Sequence, residues 1–182
     1  MDKKIESSFL KIDEGTQIIY YNSTLKMSNV LIVGDAGVGK TTFITMFERN
    51  EFNELYIDTR GMKTKNIQYK DITFTVSEFA GQEKYSFKNK LLELNVHYDA
   101  IIMIYDCTSK TSYKNLDYWL DIINSSISTS IPIILVRNKC DIPFKQPVVG
   151  LKSAYTKSFD VSVKKNDGVK EVFDYILDLT RK

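Results

Sequence analysis

The sequence predicts an α/β fold, a doubly wound, mostly parallel six-stranded sheet with helices on both faces. Three observations support this prediction. Apolar runs alternate along the chain with segments of helical periodicity, which is typical of parallel strands joined by crossover helices. Two β-branched, alternating runs at 62–69 and 72–79 indicate one antiparallel hairpin at an edge of the sheet. A glycine-rich turn joins the first apolar run to the first helical segment.

The remaining predicted strands are short and apolar. The first covers residues 26–33 and precedes the glycine-rich turn. The runs at 100–105 and 131–136 are almost continuously apolar, which is typical of strands covered on both faces. Residues 158–161 predict a last short strand. The carboxyl ends of parallel strands meet at one edge of the sheet, and ligands of such folds bind at that edge.

The predicted helices have apolar residues at intervals of three and four, so each presents one apolar face to the sheet. Four segments carry this pattern: residues 42–50, 83–96, 111–125 and 167–179. Ser109 or Thr111 is the expected cap of the third helix. Two prolines and a glycine predict a loop at 142–150, with at most a short helix behind it.

The length of 182 residues suits one domain, which we place at residues 26–182. Residues 1–25 precede the core pattern and form an N-terminal extension. Its segment 18–21 reads Ile-Ile-Tyr-Tyr, which is apolar enough to predict a short strand or a packed extension. A mobile arm is the alternative.

The composition excludes several classes of protein. Lys and Arg total 25 and Asp and Glu total 23, so we expect no binding to nucleic acid or to an acidic membrane surface. Nothing approaches the ~20 apolar residues of a membrane span, and the charged N-terminus is not a secretory signal. A prenylated cysteine and a myristoylation glycine are both missing from the ends, so no lipid anchor is expected.

The two cysteines, Cys107 and Cys140, lie in apolar strand contexts and are interpreted as structural thiols in a reducing compartment. We therefore expect a cytoplasmic protein, with the nucleus as a second location. A monomer is the expected state.

Residues 30–41 match the phosphate-binding pattern G-x-x-x-x-G-K-[ST], with a strand before it and a helix after it. Backbone N–H groups of such a turn form a concave nest for phosphate oxygens, and glycines allow close approach. Lys40 supplies a positive charge, and the Thr41 hydroxyl can ligate Mg²⁺. A glycine-rich turn that merely joins strand and helix is the alternative. The residues expected to bind phosphate are Gly34, Asp35, Ala36, Gly37, Val38, Gly39, Lys40, Thr41 and Thr42.

A second motif indicates which base is bound. Asn138-Lys139-Cys140-Asp141 follows the strand at 131–136 and matches N-K-x-D. The Asp141 carboxylate can accept hydrogen bonds from N1–H and the exocyclic amine of guanine, which adenine does not offer in that geometry. Asn138 is expected to hold the loop, and the Lys139 stem to lie along the ring. A P-loop nucleotide kinase, the main rival, would carry an arginine-rich lid, and the sequence shows none.

With these motifs the chain resembles the Ras superfamily of small GTPases over about residues 26–181. The strongest likeness is to the Ran family, through Ala100 to Asp106 and the stretch 80–85, Ala-Gly-Gln-Glu-Lys-Tyr. Rab is a weaker match. The resemblance implies a P-loop small G-domain that binds GTP or GDP with Mg²⁺.

The resemblance also implies roles for residues between the motifs. Thr59 stands where the family has the first-switch threonine that closes on Mg²⁺ and the γ-phosphate. Phe52 stands where an aromatic ring stacks on guanine, and Tyr56 where a tyrosine covers the phosphates. Ser162, Val163 and Lys164 occupy the place of the family's S-A-K, whose backbone N–H faces the guanine oxygen.

The implied reaction is phosphoryl transfer from GTP to water. Gln82 would orient the attacking water, and the Gly81 N–H would reach the γ-phosphate. Lys40 and Thr59 complete the expected catalytic set. Loss of the γ-phosphate would release both switch segments, which partners read. The implied partners are an exchange factor, a GTPase-activating protein and an effector, with nuclear-transport receptors as a further option.

The chain departs from the family pattern at the second switch. Glu78-Phe79 stands where the family has Asp-Thr, and the Asp normally holds a Mg²⁺-bound water. Glu78 is therefore an expected metal-site residue, together with Thr41 and Thr59. Slower cycling is the hypothesis, and a GTP-binding module with little hydrolysis, held in one state, is the alternative. Ala36, where many members have glycine, could narrow the access of a partner's arginine.

Overall fold

A six-stranded sheet forms the centre of the computed structural model. Its strands are β3 Lys26–Val33, β4 Met62–Tyr69, β5 Ile72–Phe79, β6 Ala100–Asp106, β7 Ile133–Asn138 and β8 Lys157–Asp160. The strand order is β4-β5-β3-β6-β7-β8. All pairs are parallel except β4 with β5, which form the antiparallel edge hairpin. This arrangement confirms the predicted fold class.

The structure describes residues 6–11, 19–24, 26–53, 60–81, 86–87, 89, 91, 96–127, 130–143 and 155–181. Within them, the helices are α1 Lys40–Arg49, α2 Lys110–Lys114, α3 Leu116–Ser126 and α4 Val169–Thr180. None of these helices is long and apolar enough to cross a bilayer.

The two faces of the sheet bury separate apolar layers, as alternation along a strand requires. In β3, Val30 and Ile32 belong to the layer that includes residues of α1 and α4. Leu31 and Val33 belong to the opposite layer, which includes α3. Helices therefore cover both faces of the sheet.

An antiparallel pair of strands precedes the six-stranded sheet. Strand β1, Glu6–Lys11, pairs with β2, Ile19–Thr24, and together they form a separate two-stranded sheet. The domain boundary at residue 26 stays a prediction.

Two predicted elements have shifted bounds in the structure. The strand predicted at 131–136 is Ile133–Asn138, because Pro132 has no N–H to donate and Arg137 remains in the strand while its side chain pairs with Asp160. The last helix begins at Val169, because Asp167 pairs with Ser162 and Gly168 is left-handed.

The helix predicted at 111–125 is two helices that meet at Asn115, the N-terminal cap of α3. Ser109 caps α2 by accepting a hydrogen bond from the Ser112 N–H at 3.2 Å, which confirms one of the two predicted caps. Of the helix predicted at 83–96, residues 86, 87, 89 and 91 are helical and Val96 is not. The other residues of that segment lie outside the described ranges.

Candidate functional site

The phosphate-binding pattern forms a loop between β3 and α1. Helix α1 begins at Lys40, and its cap is Gly39, which has no side chain to occupy the first-turn amides. Lys40 is buried, and its Nζ donates to the carbonyl oxygens of Gly34 at 2.9 Å and Asp35 at 2.7 Å. The loop therefore curls around a buried ammonium group next to an open helix N-terminus, an arrangement that suits phosphate.

The second motif lies directly against this loop. The Asn138 side chain is buried and donates from Nδ2 to the Val38 carbonyl at 2.8 Å. Gly39 is left-handed with φ of 101°, and a Cβ there would lie 2.4 Å from Asn138 Nδ2. Asn138 Oδ1 accepts from the Val163 N–H at 3.2 Å. One amide side chain thus joins the phosphate loop to the loop that contains Val163.

Lys139 makes a second bridge between the same regions. Its Nζ donates to the Gly37 carbonyl at 3.0 Å and pairs with Asp106 Oδ2 at 2.6 Å. Burial opposes ionisation of Asp106, but hydrogen bonds from Lys139 and Thr108 lower the pKa of its carboxyl below the usual value. The carboxylate therefore stays charged and holds the Lys139 side chain beside the phosphate loop.

The carboxylate predicted to select the base is held by a hydroxyl. Asp141 Oδ1 accepts a hydrogen bond from Ser162 Oγ at 2.7 Å. Ser162 also exchanges backbone hydrogen bonds with Asp167 at 3.0 Å, which closes the loop containing Val163 and the exposed Lys164. This contact fixes the position of Asp141 beside the loop that follows β8.

The predicted metal-site residues Thr41 and Glu78 contact each other directly. Thr41 Oγ1 donates to Glu78 Oε1 at 2.5 Å. Glu78 is 3% exposed, and burial raises the pKa of its carboxyl although Thr41 and Lys40 oppose the rise. A hydroxyl beside a carboxylate offers hard oxygen ligands suited to Mg²⁺, which needs few protein ligands because phosphates and waters complete its shell. Among the described residues no cluster of three His, Cys, Asp or Glu forms a denser metal site.

The second switch begins against the phosphate loop. A Cβ on Gly81 would lie 2.2 Å from the Ala36 nitrogen and 2.3 Å from the Asp35 carbonyl carbon, so only glycine permits this contact. Phe79 is fully buried and packs edge-on against Phe87, with ring centroids 4.5 Å apart.

The roles of the predicted site residues stay predictions. Tyr56, Thr59 and Gln82 lie outside the described residues. Phe52 lies beyond α1 with 39% of its surface exposed, and its stacking on a base stays a prediction.

Sequence reasoning missed contacts that reach the site from other elements. The Asp35 carboxylate accepts hydrogen bonds from Asn115 Nδ2 at 2.6 Å and from Trp119 Nε1 at 2.9 Å. The helical periodicity of residues 111–125 predicts only that Trp119 lies on the apolar face of a helix. Asp106 is an acid that ends an apolar strand at the edge of the sheet where ligands bind, and this position is the signal in the sequence that could have identified it.

Comparison with known proteins identifies the family. The family model described as Ras family matches residues 29–182. The chain belongs to the Ras family. This Ras-family protein binds GTP or GDP with Mg²⁺ and hydrolyses GTP, as the family does.

Two of the three relatives described next carry Rab names. This Ras-family protein is 33% identical to Ras-related protein Rab-13 of Canis lupus familiaris over 154 residues, 79% of this chain and 75% of the relative. It is 31% identical to Ras-related protein RabC of Dictyostelium discoideum over 160 residues, 81% of each. It is 28% identical to Ras-related protein SEC4 of Saccharomyces cerevisiae over 162 residues, 84% of this chain and 73% of the relative. These relatives do not support the predicted likeness to Ran.

Proposed function

We propose that this Ras-family protein is a guanine-nucleotide switch whose site residues act in the positions described above. The loop from Gly34 to Thr42 binds the phosphates, and Lys40 neutralises the β- and γ-phosphates. Asp141 selects guanine, while Asn138 and Lys139 hold the base loop against the phosphate loop. Thr41 and Glu78, with Thr59, form the Mg²⁺ site.

The observation that supports this proposal best is the joining of the two motifs. They lie about 100 residues apart in the chain, yet Asn138 reaches Val38 at 2.8 Å and Lys139 reaches Gly37 at 3.0 Å. A site that binds phosphates at one end and a base at the other needs this arrangement, because one ligand must span both loops.

The proposed chemistry is mostly positioning. Thr41 and Glu78, with Thr59, would hold Mg²⁺, which would supply positive charge to the phosphates. Lys40 adds its charge inside the loop, and Gln82 orients the water that attacks the γ-phosphorus. Ras itself, the reference protein for this mechanism, turns over at only about 10⁻⁴ to 10⁻³ per second until a partner supplies an arginine. Slow hydrolysis makes the protein a timed switch.

We infer that the switch works with an exchange factor, a GTPase-activating protein and an effector. The names of the relatives favour a Rab-type subclass over the Ran-like one that the sequence suggested. Binding to nuclear-transport receptors follows only from the Ran likeness. Pull-down with a GTP-loaded Gln82→Leu protein tests that option, and capture of no transport receptor would reject it.

Base selection by Asp141 has a direct test. In Asp141→Asn, the side chain loses a charged acceptor and gains an N–H donor. Guanine then loses the hydrogen bond from its exocyclic amine. Xanthine carries a carbonyl in place of that amine and therefore gains a hydrogen bond. We expect GDP affinity to fall about 100-fold and xanthosine diphosphate to bind more tightly than GDP. Calorimetric titration measures both affinities.

Asp178→Asn, an exposed carboxylate on α4, is the matched control and should leave both affinities unchanged. Unaltered GDP preference in Asp141→Asn would show that Asp141 does not select the base.

A second candidate function is a GTP-binding module with little hydrolysis. The direct hydrogen bond between Thr41 and Glu78 favours it, because the longer Glu78 side chain takes the space beside Thr41 that a Mg²⁺-bound water would need. Single-turnover GTP hydrolysis distinguishes the two candidates.

A further inference from the structure

The side chain of Asp35 in the phosphate loop is held by helix α3. Both of its carboxylate oxygens accept hydrogen bonds, Oδ2 from Asn115 Nδ2 at 2.6 Å and Oδ1 from Trp119 Nε1 at 2.9 Å. Both donors are neutral side chains. Two hydrogen bonds therefore direct the carboxylate toward the helix. Their donors lie 80 and 84 positions away in the sequence.

This orientation matters because the loop binds anions. A carboxylate free to turn toward the phosphates would repel them, since like charges at short range in a partly dry site disfavour each other. The donors on α3 compensate the charge of Asp35 and keep it outside the concave side of the loop.

The backbone of the same residue is part of the binding frame. The Asp35 carbonyl accepts from Lys40 Nζ at 2.7 Å, and Gly81 packs on the peptide that joins Asp35 to Ala36. A shift of Asp35 would therefore displace two groups. One is Lys40, which neutralises the phosphates, and the other is Gly81 at the start of the second switch.

Trp119 is well placed to hold Asp35 rigidly. Its side chain is fully buried and contacts Phe87 edge-on, with ring centroids 5.5 Å apart. Phe87 in turn packs on Phe79 at the end of β5. The indole is thus fixed on one side by the aromatic core under the second switch, and its N–H points to the phosphate loop on the other side.

We propose that Trp119 is a positioning residue for nucleotide binding: its indole N–H holds the Asp35 carboxylate away from the phosphates and keeps the Lys40 frame in place. This inference rests on the proposed function. It assigns to a core tryptophan a role in nucleotide retention that the two sequence motifs do not contain.

The test measures GDP release. Trp119→Phe keeps an aromatic ring but removes the donor, so the Asp35 carboxylate loses a hydrogen bond while keeping its charge. We expect tritiated GDP to dissociate about tenfold faster than from the wild-type protein in a filter-binding chase with excess unlabelled GDP. Asn115→Ala, which removes the other donor from a half-buried position, should speed release in the same direction and is the second variant if Trp119→Phe folds poorly.

A double-mutant cycle separates positioning from general loosening of the core. In an Asp35→Ala background the carboxylate is absent, so adding Trp119→Phe should change the GDP release rate by less than about threefold. Ile123→Val, a buried change one turn further along α3, lowers stability without touching Asp35 and should leave release unchanged.

The outcomes are distinct. Release from Trp119→Phe at the wild-type rate, or an equal acceleration in both backgrounds, would overturn the role of Trp119 while leaving guanine-nucleotide binding intact. Failure of the wild-type protein to retain tritiated GDP at all would overturn the proposed function, and this inference with it.

Discussion

At the scale of single residues, the hydrogen bond between Thr41 and Glu78 distinguishes this chain from the family pattern. The family's aspartate at this position is one methylene shorter and holds a Mg²⁺-bound water. The longer Glu78 reaches the Thr41 hydroxyl itself at 2.5 Å in a site where only 3% of the residue is exposed. The carboxylate therefore competes with that water for the space beside Thr41.

Shortening this side chain should relieve the competition. In Glu78→Asp we expect Mg²⁺-dependent GTP hydrolysis to rise about tenfold in single-turnover assays, since changes next to metal ligands commonly alter activity by ~10–100-fold. Glu171→Asp, an exposed change on α4, is the matched control. An unchanged or lower rate in Glu78→Asp would refute the competition.

At the scale of elements, the junction between β8 and α4 depends on one glycine. Gly168 has φ of 77°, and a Cβ there would lie 2.6 Å from the Asp160 carbonyl oxygen and 3.1 Å from Val161 Cγ2. The conformation and the contact both exclude a side chain. The turn at Gly168 therefore fixes where α4 begins and supports the loop that contains Ser162.

Gly168→Ala should cost about 3 kcal/mol of unfolding free energy, because backbone strain and a steric clash add. Gly61→Ala is the matched control, since Gly61 has φ of 67° but a Cβ there would meet no atom within 4 Å. Gly61→Ala should lose only about 1 kcal/mol of unfolding free energy, which is the cost of the left-handed backbone conformation for alanine. Urea unfolding measures both, and equal losses would show that the clash with Asp160 is absent.

Apolar periodicity was enough to predict the six strands of the central sheet, but not strand β1 and not where tertiary contacts interrupt a helix. The break at Asn115 accompanies a hydrogen bond to Asp35, 80 residues away, and no local pattern contains that information. The phosphate loop and Asn138 to Asp141 were predictable because each motif is contiguous. The partners of the Asp35 and Asp106 side chains were not, because they come from separate elements.

At the scale of the whole molecule, the sheet topology assembles the site. The phosphate loop follows β3, and Glu78 is the penultimate residue of β5, shortly before Gly81. Asp106 ends β6 and Asn138 ends β7. These four strands are neighbours and parallel, so their carboxyl ends meet at one edge. The order β5-β3-β6-β7 thus places the loop after β3 and the loop after β7 side by side, where Asn138 contacts Val38.

Mass spectrometry of the nucleotide that copurifies with the protein shows whether the site holds a guanine nucleotide. We expect GDP or GTP at close to one per chain, with Mg²⁺, in material prepared without chelator. Bound adenine nucleotide would contradict it, as would nucleotide-free protein that then fails to take up added GDP.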